Sequence, residues 1–594
     1  MTELGVSGIR VSFGDTLALD DVSLEVPVGE VTGVVGGDGA GKSTLLKVFA
    51  GRVGVSAGTV HTLGKADIGY QPATSGVWGN LSVAENVEFV GQSYGMSRAA
   101  IRSRGDELLE RAGLVEARSR LGSRLSGGMR QKLGFVLAIL HRPALVLLDE
   151  PSTGVDPVSR VELWRLVSAV AAGDTAVLMA TTYLDEAQRA ASVAALDQGR
   201  VIAAGVPDAI IAGVPGRIAT LPEPERAVAD SWRRGAARHV WFGGATAPAG
   251  SAPIAEPDLE DALIALTLSR RVDGVDAEQH PRRAAHARRI ARTHHREYVP
   301  VDMPDARPSG LEKGTTLAAG AHVTRRFGHQ VAVDDVSLEV AAGEVVGLIG
   351  ANGAGKTTFL RALIGLDRPD SGDAELFGAP PDAASRRRLG YVPQGLGLYR
   401  TISVRENVEF FSRVYGTPPA QLPASLAAVT KDVVGEIGLG RERQLAFALA
   451  LGHDPDLLIL DEPTSGVDPL SRARLWDIIH AQADAGRGVL VTTHYLQEAE
   501  QCTRLALMSQ GKLLGMGSVD DLIAGVSAVE VRSARWQDAF AALGEAGLPT
   551  MLAGRTVRVA GVDTDRVRDA LGGIDAAVAD VAPTLEEAMV LLES

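Results

Sequence analysis

The sequence predicts an α/β chain made of two related parallel-sheet units, each followed by a small α+β appendix. Three observations carry this. First, an apolar run, a glycine-rich loop and a helical pattern stand in that order twice: Val31 to Val35 before GGDGAGKST (residues 36–44), and residues 345–349 before GANGAGKTT (residues 350–358). Second, an apolar run ending in Asp-Glu recurs as ALVLLDEPSTGVDP (residues 144–157) and DLLILDEPTSGVDP (residues 456–469). Third, ALDDVSLEV (residues 18–26) returns as AVDDVSLEV (residues 332–340).

The glycine loops set the chemistry. Strand, glycine loop and helix form the context in which backbone N–H groups turn inward around phosphate oxygens, with the positive end of the helix behind them. The second loop offers Gly350, Ala351, Asn352, Gly353, Ala354, Gly355, Lys356, Thr357 and Thr358. The first offers Gly36, Gly37, Asp38, Gly39, Ala40, Gly41, Lys42, Ser43 and Thr44. In each, the lysine reaches the β/γ-phosphates and the following hydroxyl, Thr357 or Ser43, holds Mg²⁺. ATP and Mg²⁺ are therefore the expected ligands.

The Asp-Glu runs read as buried parallel strands that deliver two carboxylates at their C-terminal ends, where open α/β sheets bind ligands. Asp461 suits the Mg²⁺ shell and Glu462 suits polarising an attacking water; Asp149 and Glu150 are their counterparts. Phe13 and Phe327 stand at matching places beside the opening strands. Spacing alone allows either adenine stacking or a half-buried strand residue.

Composition bounds the class. At 594 residues, with 45% hydrophobic and 22% charged, the chain has ample material for several globular domains, about three to five. The net charge of −14 argues against whole-chain nucleic-acid binding. Cys502 is the sole cysteine, which excludes an intramolecular disulfide and fits a cytosolic location. The first residues lack a signal-peptide pattern, and no apolar run approaches the roughly 20 residues of a membrane span.

The order of motifs divides the chain into a first cassette (1–213), a small appendix (214–268), a linker (269–316), a second cassette (317–525) and a C-terminal α+β appendix (526–594). The linker carries HPRRAAHARRIARTHHRE (residues 280–297) and then Pro and Gly, a composition that suggests mobility. Its histidines, His280, His286, His294 and His295, lack a metal spacing and read as a solvated linker.

Taken together, the P-loops, the DEP strands and the Thr-Thr-His of residues 492–494 resemble the nucleotide-binding subunits of ABC transporters, over both halves and nearly the whole chain. The DEPxxGVDP phrases and the tails PDLEDA and PTLEEA are most similar to ATPase subunits of ABC-2-type exporters, including daunorubicin-resistance-type drug efflux ATPases. The resemblance implies two P-loop NTPase (ABC ATPase) domains, each with a helical subdomain, shortened in the second half. It implies an ATP-hydrolysing subunit that powers a separate integral membrane permease of the ABC-2 type from the cytoplasmic face. It further implies two ATP molecules clasped head to tail, each between one P-loop and the other half's LSGG segment.

Carried over residue by residue, the resemblance makes Glu462, His494 and Gln394 the catalytic set, with Gln394 also near Mg²⁺. Residues 465–468 resemble the D-loop. The first half departs at two places: Ala73 stands where Gln394 stands, and Thr182 stands where His494 stands. Gln71, two residues earlier, would compensate only if its loop shifts. The reverse loss lies in the second half. RLSGGMRQKL (residues 124–133) supplies Ser126, Gly127 and Gly128, but the second half reads EIGLGRERQL (residues 436–445). Matching Leu114 to Leu439 leaves 13 residues missing before Leu445. Counting back from Asp461 instead puts Gly438, Leu439 and Gly440 at the Ser-Gly-Gly positions. Either way one complete composite site and one degenerate site are expected. A soluble twin-cassette factor acting on ribosomes is the competing reading, kept alive by the basic linker; a nucleotide-gated regulator without turnover is a third.

Overall fold

The computed structural model describes residues 4–14, 16–153, 155, 157–173, 175–221, 230–234, 237–243, 252–254, 257–272, 306, 308–328, 330–350, 353–553 and 556–593. The histidine-rich run and the basic stretch of the linker lie outside the described residues, as do Ala351 and Asn352.

The chain forms two compact units. The first holds Met1–Gly213, Asp258–Leu263 and Ile523–Ser594; the second holds Val214–Pro257 and Ile264–Leu522. Each unit is thus one cassette together with the appendix that follows the other cassette.

The first unit is organised on a six-stranded sheet in the order Ile68–Gln71, Leu145–Asp149, Ala176–Thr181, Val31–Val35, Ser192–Asp197, Arg200–Gly205. All neighbours are parallel except the last pair. A three-stranded antiparallel sheet (Gly5–Phe13, Thr16–Glu25, Ala57–His61) closes over the helix Lys42–Phe49. Ile9, Leu45, Phe49, Leu147 and Leu178 form the core between them. The second unit repeats the plan, with the same strand order beginning at Leu389–Val392 and Leu457–Asp461. In Leu457–Asp461, Leu457 and Ile459 pack toward Phe359 while Leu458 and Leu460 pack toward Phe447 and Trp476. Burial on both faces explains why this strand reads as an unbroken apolar run.

The helical subdomains differ where the sequence was ambiguous. In the first unit they comprise Val83–Ser93, Arg98–Arg111 and Gly127–Ile139; in the second, Val404–Tyr415, Ala424–Ala427 and Leu439–Leu451. Ser82 and Ser403 open equivalent helices with capping boxes to Glu85 and Glu406, and bridge to Leu121 and Val433. Ser82 and Leu121 are 39 positions apart and Ser403 and Val433 are 30, so nine residues are lost there. A helix of 14 residues has become one of four. Downstream the two halves run in step. The 13-residue gap before Leu445 is therefore corrected: Gly438 occupies the place of Ser126, with nothing missing between it and Leu445.

Each appendix is a four-stranded antiparallel sheet with helices. In the first unit the order is Thr550–Ala553, Thr556–Ala560, Ala528–Arg532, Ala577–Val581. Its docking onto the cassette uses the Arg189–Glu586 ion pair and an Arg165 Nε bond to the Thr550 carbonyl at 2.6 Å. In the second unit Trp232 and Trp241 pack with Leu470 and Ala473 of the helix Pro469–Asp484. Around them Arg233 bonds Asp484 at 2.6 Å and Arg238 bonds Asp477 at 3.3 Å.

Candidate nucleotide sites

Each P-loop leaves its central strand and enters its helix through a glycine in left-handed conformation, Gly41 at φ 110° and Gly355 at φ 99°. A Cβ on Gly355 would lie 2.2 Å from the Ala332 carbonyl, so the loop tolerates no side chain there. Inside the loop, Lys356 Nζ donates to Gly350 O at 2.6 Å, and Lys42 Nζ donates to Gly36 O and Gly37 O at 2.8 and 3.2 Å. Both ammonium groups are thereby folded back into the loops. Burial lowers the Lys356 pKa, against the pull of Glu462 and Asp461.

The hydroxyl and the first carboxylate meet in both units. Thr357 Oγ1 is 3.0 Å from Asp461 Oδ2, and Ser43 Oγ is 2.9 Å from Asp149 Oδ1. Burial raises the pKa of both aspartates, a tendency that a cation would reverse. Among the described residues no three or more His, Cys, Asp or Glu side chains gather to hold a metal by themselves. A hydroxyl plus one carboxylate fits Mg²⁺, which keeps several waters and takes its remaining oxygens from phosphates. Thr357 with Asp461, and Ser43 with Asp149, would hold it; bound there, Mg²⁺ neutralises charge on the β- and γ-phosphate oxygens.

The following glutamates share a strained backbone. Glu150 and Glu462 sit at φ 50° and 51°, in the left-handed region that non-glycine residues avoid. Such strain costs on the order of 1–3 kcal/mol and clusters at functional sites. Here the units part. Glu462 Oε1 faces His494 Nδ1 at 3.3 Å and Oε2 accepts from the Gln394 amide at 2.9 Å. His494 is buried. Burial pushes the Glu462 carboxyl up, but His494, Lys356 and Gln394 together hold it below the usual carboxylate range. A carboxylate kept ionised beside a histidine suits the orientation of a water nucleophile. Glu150 instead pairs with Lys42 at 3.4 Å and accepts from Thr153 Oγ1 at 3.1 Å.

Strand registers locate the replacements. Gln71 aligns with Val392, which puts Ala73 in the place of Gln394. Gln71 is fully buried, and its amide donates to Gln131 Oε1 at 2.7 Å. It is tied to the helix Gly127–Ile139 and does not stand in for Gln394. Thr182 is buried at the position of His494. A further difference lies beside the first carboxylate. Thr492 Oγ1 bonds Asp461 Oδ1 at 2.5 Å and accepts from the Glu462 N–H at 3.0 Å, tying the two carboxylate residues together. Its counterpart across from Asp149 is Ala180. There Tyr70 Oη approaches Asp149 Oδ2 at 3.4 Å instead, with its pKa pushed up to about 12 by burial and Asp149. The signal was present as Ala-Thr-Thr against Thr-Thr-His.

The LSGG segment forms a helix start. Ser126 caps Gly127–Ile139, accepting from Met129 N at 3.2 Å, and Arg124 and Arg130 flank the cap. The equivalent helix Leu439–Leu451 starts at Gly438 with no side-chain cap, and Glu442 lies in its first turn, paired with Arg400 at 3.0 Å. An acid there cancels the positive end of the helix that an anion would seek. Phe13 and Phe327 are 53% and 52% exposed at the ends of their strands. The Arg325 guanidinium carbon lies over the Phe327 ring, 4.9 Å from its centre.

Comparison with known proteins identifies the family. The ABC transporter family model matches residues 19–153 and 333–465. The probable multidrug ABC transporter ATP-binding protein YbhF of Escherichia coli is 33% identical over 86% of this chain and 91% of its own length. The Nod factor export ATP-binding protein I of Burkholderia lata is 40% identical over 34% of this chain and 71% of its own. Among solved structures, the archaeal ribosome recycling factor aABCE1, in complex with the stalk protein aP1, covers 95% of this chain and 97% of its own at a TM-score of 0.56 and 18% identity, a likeness of fold alone.

Proposed function

We propose, from the premise that the chain belongs to the ABC transporter ATP-binding protein family and is an ATPase, that it energises an exporter through one working ATP site. The observation that carries this reading is the Glu462–His494–Gln394 cluster of the second unit, set against a first unit in which Thr182 and Ala73 replace two of its members. ATP binds at both P-loops. Lys356, Thr357 and Asp461 hold the phosphates and Mg²⁺, Glu462 polarises the water, and His494 and Gln394 hold Glu462 in place. Ser126, Gly127 and Gly128 keep the LSGG in the first half, whose own P-loop lacks the full catalytic set. That P-loop retains nucleotide with little turnover. Phe13 and Phe327 take the adenines.

The partner is an integral membrane permease of the ABC-2 type. Among the described residues no helix is long and apolar enough to cross a membrane. On this reading the membrane passage belongs to that partner, and the chain works at the cytoplasmic face. Drugs or other hydrophobic compounds are the proposed cargo class, a reading supported by the multidrug transport for which YbhF is named.

Two measurements test this. Glu462→Gln is expected to abolish most ATP turnover and Glu150→Gln to leave most of it; equal losses refute the single-site assignment. Purification from membranes is expected to bring a multi-span protein along. Ribosomes in its place would favour the competing twin-cassette translation factor.

A further inference from the structure

Four residues beyond His494 lies Glu498, which is 2% exposed and touches neither P-loop nor metal pair. A buried carboxylate is retained only where partners satisfy it. Its Oε2 accepts from Thr493 Oγ1 at 2.6 Å, and its Oε1 accepts from Thr464 Oγ1. Arg472 Nε stands 4.0 Å away. These three partners come from three different elements. Thr493 ends the strand Gly488–Thr493 and immediately precedes His494; Thr464 lies two residues past Glu462; Arg472 sits in the helix Pro469–Asp484 that follows the D-loop. The same Thr493 hydroxyl accepts from the Tyr495 N–H at 3.0 Å, so the backbone on both sides of His494 is fixed to it. Tyr495 in turn lies under Arg472, 4.9 Å from guanidinium carbon to ring centre.

We infer that Glu498 is a positioning residue for ATP hydrolysis: it clamps the loop bearing His494 to the loop bearing Glu462. The inference rests on the reading that the second unit hydrolyses ATP. Its chemistry is geometric. A carboxylate has acceptor sites for both hydroxyls at once, and an error of about 1 Å in a catalytic contact costs on the order of 10²-fold in rate. Losing the clamp frees His494 from its 3.3 Å contact with Glu462 without touching any group that binds nucleotide.

The first unit supplies an internal control. Glu186 is equally buried, accepts from Thr181 Oγ1 at 2.6 Å and follows Thr182, where no histidine waits to be positioned. Steady-state turnover of the full chain is measured for Glu498→Gln and Glu186→Gln, with melting temperatures of both. Glu498→Gln is expected to lower kcat about 10-fold or more with KM for ATP changed less than about twofold, while Glu186→Gln keeps kcat near wild type at a similar melting loss. Thr493→Val, which removes one hydroxyl at constant volume, is expected to lower kcat in the same direction and serves where Glu498→Gln does not fold. Equal kcat losses at the two glutamates, or a Thr493→Val protein with wild-type kcat, overturn the clamp. Glu462→Gln is run alongside: if it abolishes turnover and the clamp variants do not reduce it, this inference alone fails; if it retains turnover, the hydrolytic reading fails and takes the clamp with it.

Discussion

Replacing His494 by threonine makes the second unit resemble the first at the residue where their chemistry diverges most. The perturbation removes the Nδ1 contact to Glu462 Oε1 at 3.3 Å while leaving the Gln394 contact at 2.9 Å. His494 and Glu462 are 3% and 8% exposed, so solvent screens their interaction little. Removing one preorganised partner of this kind costs about 10² to 10³ in kcat, or about 2.7–4 kcal/mol. Because Gln394 still holds one oxygen of Glu462, the lower end, about 100-fold, is expected. The assay is phosphate release at saturating Mg-ATP with the full chain, alongside Thr182→Ala as the matched change in the other unit. Thr182→Ala is expected to stay within about threefold of wild type. A His494→Thr protein with more than a third of wild-type kcat, or equal losses in the two variants, refutes the argument that the cluster around Glu462 sets turnover.

Four further outcomes rest on other parts of the two units. Ser126→Ala removes the cap on Gly127–Ile139 and is expected to cost about 1 kcal/mol of stability, read from the denaturation midpoint. Leu147→Ala opens a cavity in the fully buried strand of the first unit and is expected to cost about 2–5 kcal/mol in denaturant unfolding. Arg189→Glu is expected to loosen the C-terminal appendix, read as faster proteolysis within residues 523–594, with partial recovery in the Arg189→Glu, Glu586→Arg double variant. His480 is held neutral, its pKa lowered to about 4 by burial, then by Arg233, while its Nε2 meets Gln501 Oε1 at 3.1 Å. Between that value and the unfolded value near 6.5 the unfolded chain binds the extra proton, so stability falls as pH drops through this window, by up to about 3 kcal/mol. His480→Gln is expected to flatten that part of the stability profile between pH 7 and 4.

Much of this site is written in short contiguous stretches, which is why it was legible. A P-loop is nine adjacent residues, and a strand buried on both faces announces itself by its apolar run. The positions of Ala73 and Thr182 were equally readable, because the strands before them align without gaps. Legibility ends at the shortened helical subdomain. One leucine resembles another, and a match of Leu114 to Leu439 suggested a gap that the helix ends do not support. Gln71 failed for a different reason: its fate depends on Gln131, 60 residues away, and only packing shows that bond. The roles of Thr492 and Glu498 were hidden in the same way, since a threonine or glutamate after a strand has no local mark of what it will bind. The destination of each appendix was the least legible feature, because it is decided by complementary surfaces hundreds of residues apart.

That last feature bears on how the gene can be divided. Each unit contains sequence from both sides of residues 273–305. A protein split there and produced as two polypeptides would yield fragments that each carry a cassette and the other's appendix. Neither fragment would be whole by itself: Trp232 and Trp241 would be stranded from Leu470, and Glu586 from Arg189. Co-expression would therefore have to reassemble two interlocking pieces, and expressing either cassette alone calls for grafting on the distant appendix instead of its own neighbour.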